Sequence, residues 1–316
     1  MVWLIGNKGM LGTELSLLFV ERGLDFAVSD REIDITDPVV LENFANSKLA
    51  QGKRINWVVN CAGYTDVDRA EDDVETCRRL NVDGPGYIAS LAYKLHARFI
   101  HVSTDYVFGK YSKVSAFGNG EKWPYLEADA TNPLGVYATS KRDGEVRVME
   151  NTPGAYVMRT SWLYGKYGKN FVTTMLRLMR ERDTISVVND QRGTPTWTYD
   201  MADAIFKMID SIEHPRWDAL PPINVPFFGI YHYTNEGDTT WFDFACAIYE
   251  KGRKLGLLAK DCEVKPCSSA EYPSKVQRPD YSVLCKDRIR NEISMIIPAW
   301  EESLEQFLKE LKRCGY

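Results

Sequence analysis

Four histidines in 316 residues, seven cysteines without one C-x-x-C pair, and no apolar run near the roughly 18 residues of a membrane span mark this chain by what it lacks. Seven is an odd number, so the cysteines cannot all pair internally, and the histidines are scattered. Neither a disulfide framework nor a zinc site is indicated, and reduced thiols in a cytoplasmic protein are the simpler expectation. No metal is expected. Residues 1–5, Met-Val-Trp-Leu-Ile, already read as a strand, so no signal peptide is expected. Basic charge is not in excess either: 39 Lys and Arg against 44 Asp and Glu leave a net charge of −5. That balance argues against nucleic acid or an anionic membrane as the main partner, but not against a small anion held by a few local cations. At 44% hydrophobic and 26% charged residues, the chain has the composition of a globular core. At about 150 residues per domain, its length suggests roughly two domains.

What is present is a rhythm. Val2–Ile5 reads as a buried strand, and Leu11, Leu15, Leu18 and Phe19 follow at helical spacing, with Gly23 at the exit. Further strands are expected at 25–29, 57–61, 97–103 and 156–160. Helices are expected from Asp37-Pro38 onward, over 74–95 with an interruption near Gly84-Pro85-Gly86, and over 137–150. Strand–helix alternation of this kind indicates an α/β fold, a Rossmann-type doubly wound parallel sheet. Beyond about residue 165 the rhythm loosens into helical patterns at 170–182, 198–213, 241–255 and 300–313. The expected division is a dinucleotide-binding domain over 1–165 and a smaller, mainly substrate-binding α/β domain over 166–316, with some elements returning to the first.

Immediately after the first strand, Gly6, Gly9 and Gly12 are spaced G-x-x-G-x-x-G and open a helix. Glycines there let the backbone turn tightly and approach a pyrophosphate, whose charge meets the helix N–H groups. About 20 residues on, the second strand ends at Asp30-Arg31, where a ribose-reading acid belongs. Asp30 can accept from a 2′-hydroxyl, as in NAD, while Arg31 and Lys8 can meet a 2′-phosphate, so NADPH and NADH both stay open. Asn60-Cys61-Ala62-Gly63 closes the third strand at the same sheet edge, where small residues let a nicotinamide ribose lie close.

Tyr137 and Lys141 form a Y-x-x-x-K pair on one helical face. An ammonium beside a phenol stabilises its phenolate and can also hold ribose hydroxyls. Ser103 and Thr104 end another strand, where a hydroxyl can hydrogen-bond a ketone oxygen beside the tyrosine. These three motifs, in this order, resemble the extended short-chain dehydrogenase/reductase family, and in particular its reductases of 4-keto nucleotide sugars. The closer resemblance rests on residues 60–71, 103–108, 159–165 (R-T-S-W-L-Y-G) and 190–196 (D-Q-R-G-T-P-T), on 229–233, on Arg278-Pro279 with 282–284, and on the Trp300 helix. It spans nearly the whole chain.

The resemblance implies that NADPH or NADH reduces the C4 ketone of a dTDP-sugar, dTDP-4-dehydro-β-L-rhamnose, to dTDP-β-L-rhamnose. On it, Tyr137 donates the proton, Thr104 orients the ketone, Lys141 lowers the tyrosine's pKa, and Asn81 supports the lysine through water. Met10, Leu11, Asp34, Ile35 and Thr65 join the cofactor positions named above. Val67, Asp105, Tyr106 and Trp162 fall around the sugar, and Asn170 and Arg278 near the nucleotide diphosphate. For Arg192 a phosphate contact and an internal salt bridge both stay open. Some relatives dimerise through magnesium held by glutamates; such carboxylates cannot be placed here, so a homodimer is carried over only as an expectation and the metal not at all. Between Lys110 and Lys122 extra residues suggest a surface loop near the pocket mouth. Two other readings remain: a 4-epimerase or dehydratase of nucleotide sugars, and a non-catalytic regulatory subunit of the same fold.

Overall fold

Strand residues alternate between two buried faces, and that alternation builds the core of the computed structural model, which describes residues 1–111, 122–215, 227–272 and 274–316. The strands are β1 (Val2–Ile5), β2 (Phe26–Ser29), β3 (Trp57–Asn60), β4 (Arg98–Thr104), β5 (Ala155–Thr160), β6 (Leu163–Tyr164), β7 (Thr184–Val188), β8 (Arg192–Gly193), β9 (Thr196–Trp197), β10 (Gly229–His232), β11 (Thr239–Thr240) and β12 (Glu263–Cys267). The helices are α1 (Met10–Glu21), α2 (Pro38–Ala50), α3 (Val74–Arg78), α4 (Gly84–Lys94), α5 (Gly135–Asn151), α6 (Phe171–Glu181), α7 (Thr198–Glu213), α8 (Trp241–Lys254), α9 (Asp287–Glu292) and α10 (Trp300–Arg313).

Among the described residues, six parallel strands form the main sheet in the order β10-β5-β4-β3-β1-β2. Leu4, Val59 and Met158 turn to one face, against Leu15 and Phe19 of α1 and Met201 and Ile205 of α7. Trp3, Val58 and Val157 turn to the other, against Leu41 of α2, Ile88 of α4 and Val148 of α5. Both faces are therefore covered, as a parallel sheet requires. Residues from the second half of the chain return to this sheet, β10 as its edge strand and α7 as a covering helix. A second core lies between α6, α8 and α10, around Leu176, Phe244, Ile248, Leu304 and Phe307. No helix among the described residues is long and apolar enough to cross a membrane.

The interruption expected near Gly84 falls earlier. Residues Arg79–Asp83 form a π-helical turn, and Gly84 and Pro85 instead begin α4, where proline's missing N–H breaks no bond of that helix. Apart from Tyr111, the expected loop between Lys110 and Lys122 lies outside the described residues.

Candidate active site

The chain leaves β1 for β2 and then crosses back past β1 to β3, so the sheet reverses direction between β1 and β3 and opens a crevice at their carboxyl ends. Gly6 turns there with φ +79°, and a Cβ on it would lie 2.7 Å from the Ala62 amide nitrogen. A Cβ on Gly12 would lie 2.1 Å from the Gly6 carbonyl oxygen, so α1 can start this close to the strand only with glycine. Gly9 caps α1 without a side-chain hydrogen bond, and no acid stands in the first turn. Open helix N–H groups beside a cradle that any Cβ would fill fit the pyrophosphate of a dinucleotide.

At the far end of this crevice, Lys8 pairs with Glu32 at 3.1 Å, both side chains largely exposed. Glu32 also accepts from the Asp30 amide at 2.8 Å, while the Asp30 carboxylate accepts from the Arg31 amide at 2.9 Å. Sequence reasoning missed Glu32, although it directly follows Asp30-Arg31. Asp34 is held by the Thr36 amide and hydroxyl, and Ile35 is buried against Gly84. Asn60 accepts from the Ala62 amide at 3.0 Å, and Cys61 follows with its thiol pushed up to about 12 by burial. Gly63 packs on Asn81, and Thr65 is exposed.

Tyr137 and Lys141 lie on the buried face of α5. Around the phenol gather Ala70, Cys77, Tyr64, Val67 and Tyr106, the last edge-on at 5.7 Å between ring centres. Thr104, at the end of β4, stands beside Tyr137 and donates to Asp105 at 3.1 Å. Burial pushes the Tyr137 phenol up, against the nearby Thr104 hydroxyl, and Asp105 and Tyr106 push the same way as burial. Burial is the largest of these influences. Lys141 donates to the Val102 carbonyl at 2.8 Å and is itself lowered by burial to about 8, with Glu145 and the Cys61 and Cys77 thiols opposing. Below that pH it is an ammonium.

Asn81 sits in the π-helical turn, fully buried. Its Oδ1 accepts from the Tyr64 amide at 2.8 Å; its Nδ2 donates to the Tyr64 carbonyl at 3.1 Å and to Ser140 Oγ at 3.0 Å. Ser140 in turn donates to the Tyr137 carbonyl at 2.8 Å. The side chain thus fastens the β3–α3 loop to the first turn of α5. A Cβ on Gly144 would stand 2.0 Å from the Asn81 carbonyl oxygen, so this close packing also depends on glycine. Ser140 was missed, though it lies inside the Y-A-T-S-K string.

Arg278 reaches the site from the long C-terminal segment, donating to Tyr106 Oη at 3.3 Å and to Asp68 at 2.6 Å. Trp162, packed against the second core, has φ +46°, stacks on Trp241 at 3.6 Å and lies over Gly193. Asn170 caps α6: its Oδ1 accepts from the Thr173 amide at 3.1 Å and its Nδ2 donates to the Gly165 carbonyl at 2.7 Å. Arg192 forms an ion pair with Asp238. The structure therefore brings together Thr104, Asp105, Tyr106, Val67, Asn81, Tyr137, Lys141 and Arg278, and gives Asn170 to a helix end.

A dinucleotide cradle at the sheet's reversal point, with a buried hydroxyl–phenol–ammonium group beside it, defines a short-chain type of nicotinamide oxidoreductase. The chain belongs to the RmlD substrate binding domain family, whose family model matches residues 1–313. It is similar to the dTDP-4-dehydrorhamnose reductase of Aggregatibacter actinomycetemcomitans, with 34% identity over 95% of each chain. Among solved structures it resembles the dTDP-4-dehydrorhamnose reductase of Clostridium acetobutylicum, at 33% identity and TM-score 0.84, covering 98% of this chain and 99% of that one. It also resembles the Bacillus anthracis dTDP-4-dehydrorhamnose reductase solved in complex with NADP, at 32% identity and TM-score 0.82 over 98% of each chain.

Proposed function

We propose that this chain is an NAD(P)H-dependent dTDP-4-dehydrorhamnose reductase, which reduces the C4 ketone of dTDP-4-dehydro-β-L-rhamnose to give dTDP-β-L-rhamnose. The observation that carries this reading is the buried group of Thr104, Tyr137 and Lys141 at the carboxyl ends of β3 and β4, in a chain of this family. NADPH or NADH, bound on the Gly6–Gly12 turn, supplies the hydride. Thr104 hydrogen-bonds the C4 oxygen and fixes the ketone. Tyr137 gives its proton to that oxygen as negative charge develops there, a general-acid role. Its raised pKa keeps the phenol protonated until then. Lys141 places a positive charge beside the phenol and reaches toward the ribose. Asn81, through Ser140 and Tyr64, holds the helix turn that carries the tyrosine.

Val67, Asp105, Tyr106 and Trp162 surround the sugar in this reading, and the Arg278 guanidinium takes the nucleotide diphosphate. The protein works in the cytoplasm, and a homodimer is the assembly we expect. The test is direct. Purified protein with dTDP-4-dehydrorhamnose should oxidise NADPH or NADH and form dTDP-rhamnose. Absence of turnover with either nucleotide sinks the reading. Stoichiometric NAD retained through purification points to an epimerase instead.

A further inference from the structure

Asp105 is a buried carboxylate without a cation. It is 2% exposed, and among the described residues no lysine or arginine pairs with it. Its partners are hydroxyls: Thr104 Oγ1 at 3.1 Å on Oδ1 and Ser282 Oγ at 2.6 Å on Oδ2. Ser282 is held rigidly. Its amide donates to the Arg192 carbonyl at 2.8 Å, and the flanking Val283 carbonyl accepts from the Tyr125 amide at 2.8 Å. Tyr137 of α5 and Tyr106 of the adjoining turn face Asp105. Arg278 stands beyond Tyr106, with its charge taken by Asp68.

We infer that Asp105 and Ser282 are positioning residues that decide where the Thr104 hydroxyl sends its one proton: the neutral carboxyl frees it for the substrate ketone, and the carboxylate takes it. Counting hydrogens shows why. Thr104 Oγ1 already accepts from the Tyr106 amide at 3.2 Å. When Asp105 is ionised, Thr104 donates to it at 3.1 Å and has no proton left for a ketone. When Asp105 is protonated, its O–H donates to the remaining lone pair of Oγ1, and the Thr104 proton is free for the C4 oxygen. Burial pushes the Asp105 carboxyl up to about 7, against the hydrogen bonds from Ser282 and Thr104, so both forms are populated near neutrality.

The inference rests on the reductase reading, and the test separates the two. On the full chain loaded with NADP⁺, infrared difference spectra should show a protonated carboxyl band that disappears as pH rises through about 7. The band should be absent from Asp105→Asn. In Ser282→Ala its midpoint should move up by about one pH unit, since one donor to the carboxylate is gone. The rate constant kcat should fall over the same limb in the wild type. Asp105→Asn should lack that limb and keep only the later fall belonging to Lys141. A missing band, a midpoint unmoved in Ser282→Ala, or a limb that Asp105→Asn retains overturns the inference while the reductase reading stands. A wild-type protein that reduces no 4-keto dTDP-sugar overturns both.

Discussion

Glu145 stands one helical turn beyond Lys141 on the buried face of α5, and Arg159 of β5 grips its carboxylate through hydrogen bonds of 2.9 and 2.7 Å. Both side chains are nearly inaccessible to solvent. Ser103, next to Thr104, also donates to Glu145. The ion pair therefore ties α5 to β5, and the Ser103 hydrogen bond ties the same helix to β4, at whose end Thr104 stands. Glu145→Ala leaves a guanidinium buried and unpaired, which destabilises by about 3–5 kcal/mol. Chemical denaturation measures this. Glu145 is also the largest influence opposing the lowering of Lys141, so its loss moves the alkaline fall of kcat to lower pH. A limb that stays in place would show that Glu145 acts on packing alone.

Tyr137→Phe removes the proposed proton donor and keeps the ring in its apolar surround of Ala70 and Cys77. We expect kcat to drop by roughly 10² or more, as for loss of a positioned general acid. Binding of NADPH, followed by fluorescence titration, should change little. Reduction at the wild-type rate would remove Tyr137 from the mechanism.

Arg278→Ala releases Tyr106 and Asp68 together. If the guanidinium meets the nucleotide diphosphate, KM for the dTDP-sugar rises by about 10-fold or more, as for a lost charge-assisted contact, while NADPH affinity holds. An equal loss of affinity for both would point to a general collapse of the segment instead.

The strands of the first half are legible in the sequence because each is a short apolar run bounded by polar or glycine residues. β1 falls where expected, and β2 to β5 lie within a residue of the expected ranges. The π-helical turn at Arg79–Asp83 is not legible, since a shift in backbone hydrogen bonding leaves no side-chain pattern. Thr104, Tyr137 and Lys141 are visible because they sit in local strings. Their supports are not: Ser282 meets Asp105 across 177 residues, and Asn81 meets Ser140 across 59. Such pairs exist only once the chain has folded. Asn170 shows the opposite difficulty, because an asparagine ahead of an amphipathic helix serves equally as a helix cap and as a ligand contact.

Gly12→Ala tests the cradle without touching the chemistry. The added Cβ meets the Gly6 carbonyl at 2.1 Å, and backbone cannot yield as a flexible side chain does. The turn must open or α1 must shift. We expect weaker NADPH binding, by about 10-fold or more, and a lower Tm, because core overpacking of this kind costs about 1–3 kcal/mol. Unchanged cofactor affinity would place the dinucleotide elsewhere.

Lys141→Met exposes a conflict between stability and activity. Burial lowers the folded-state pKa of Lys141 to about 8, below the usual lysine value of 10.5. Between those two pH values the unfolded chain binds the proton and the folded one does not, so wild-type stability rises as pH climbs through that window. Below about pH 8 both states carry the charge, and the folded state bears the whole desolvation penalty. Methionine fills a similar volume without the ammonium. Lys141→Met should therefore be at least as stable as the wild type near neutrality, lose the rise in stability above pH 8, and lose nearly all reductase activity. Denaturant titrations at neutral and alkaline pH measure the first two, and the nicotinamide assay the third. A variant less stable than the wild type at neutral pH would mean that the bond to Val102 and the Glu145 charge outweigh desolvation.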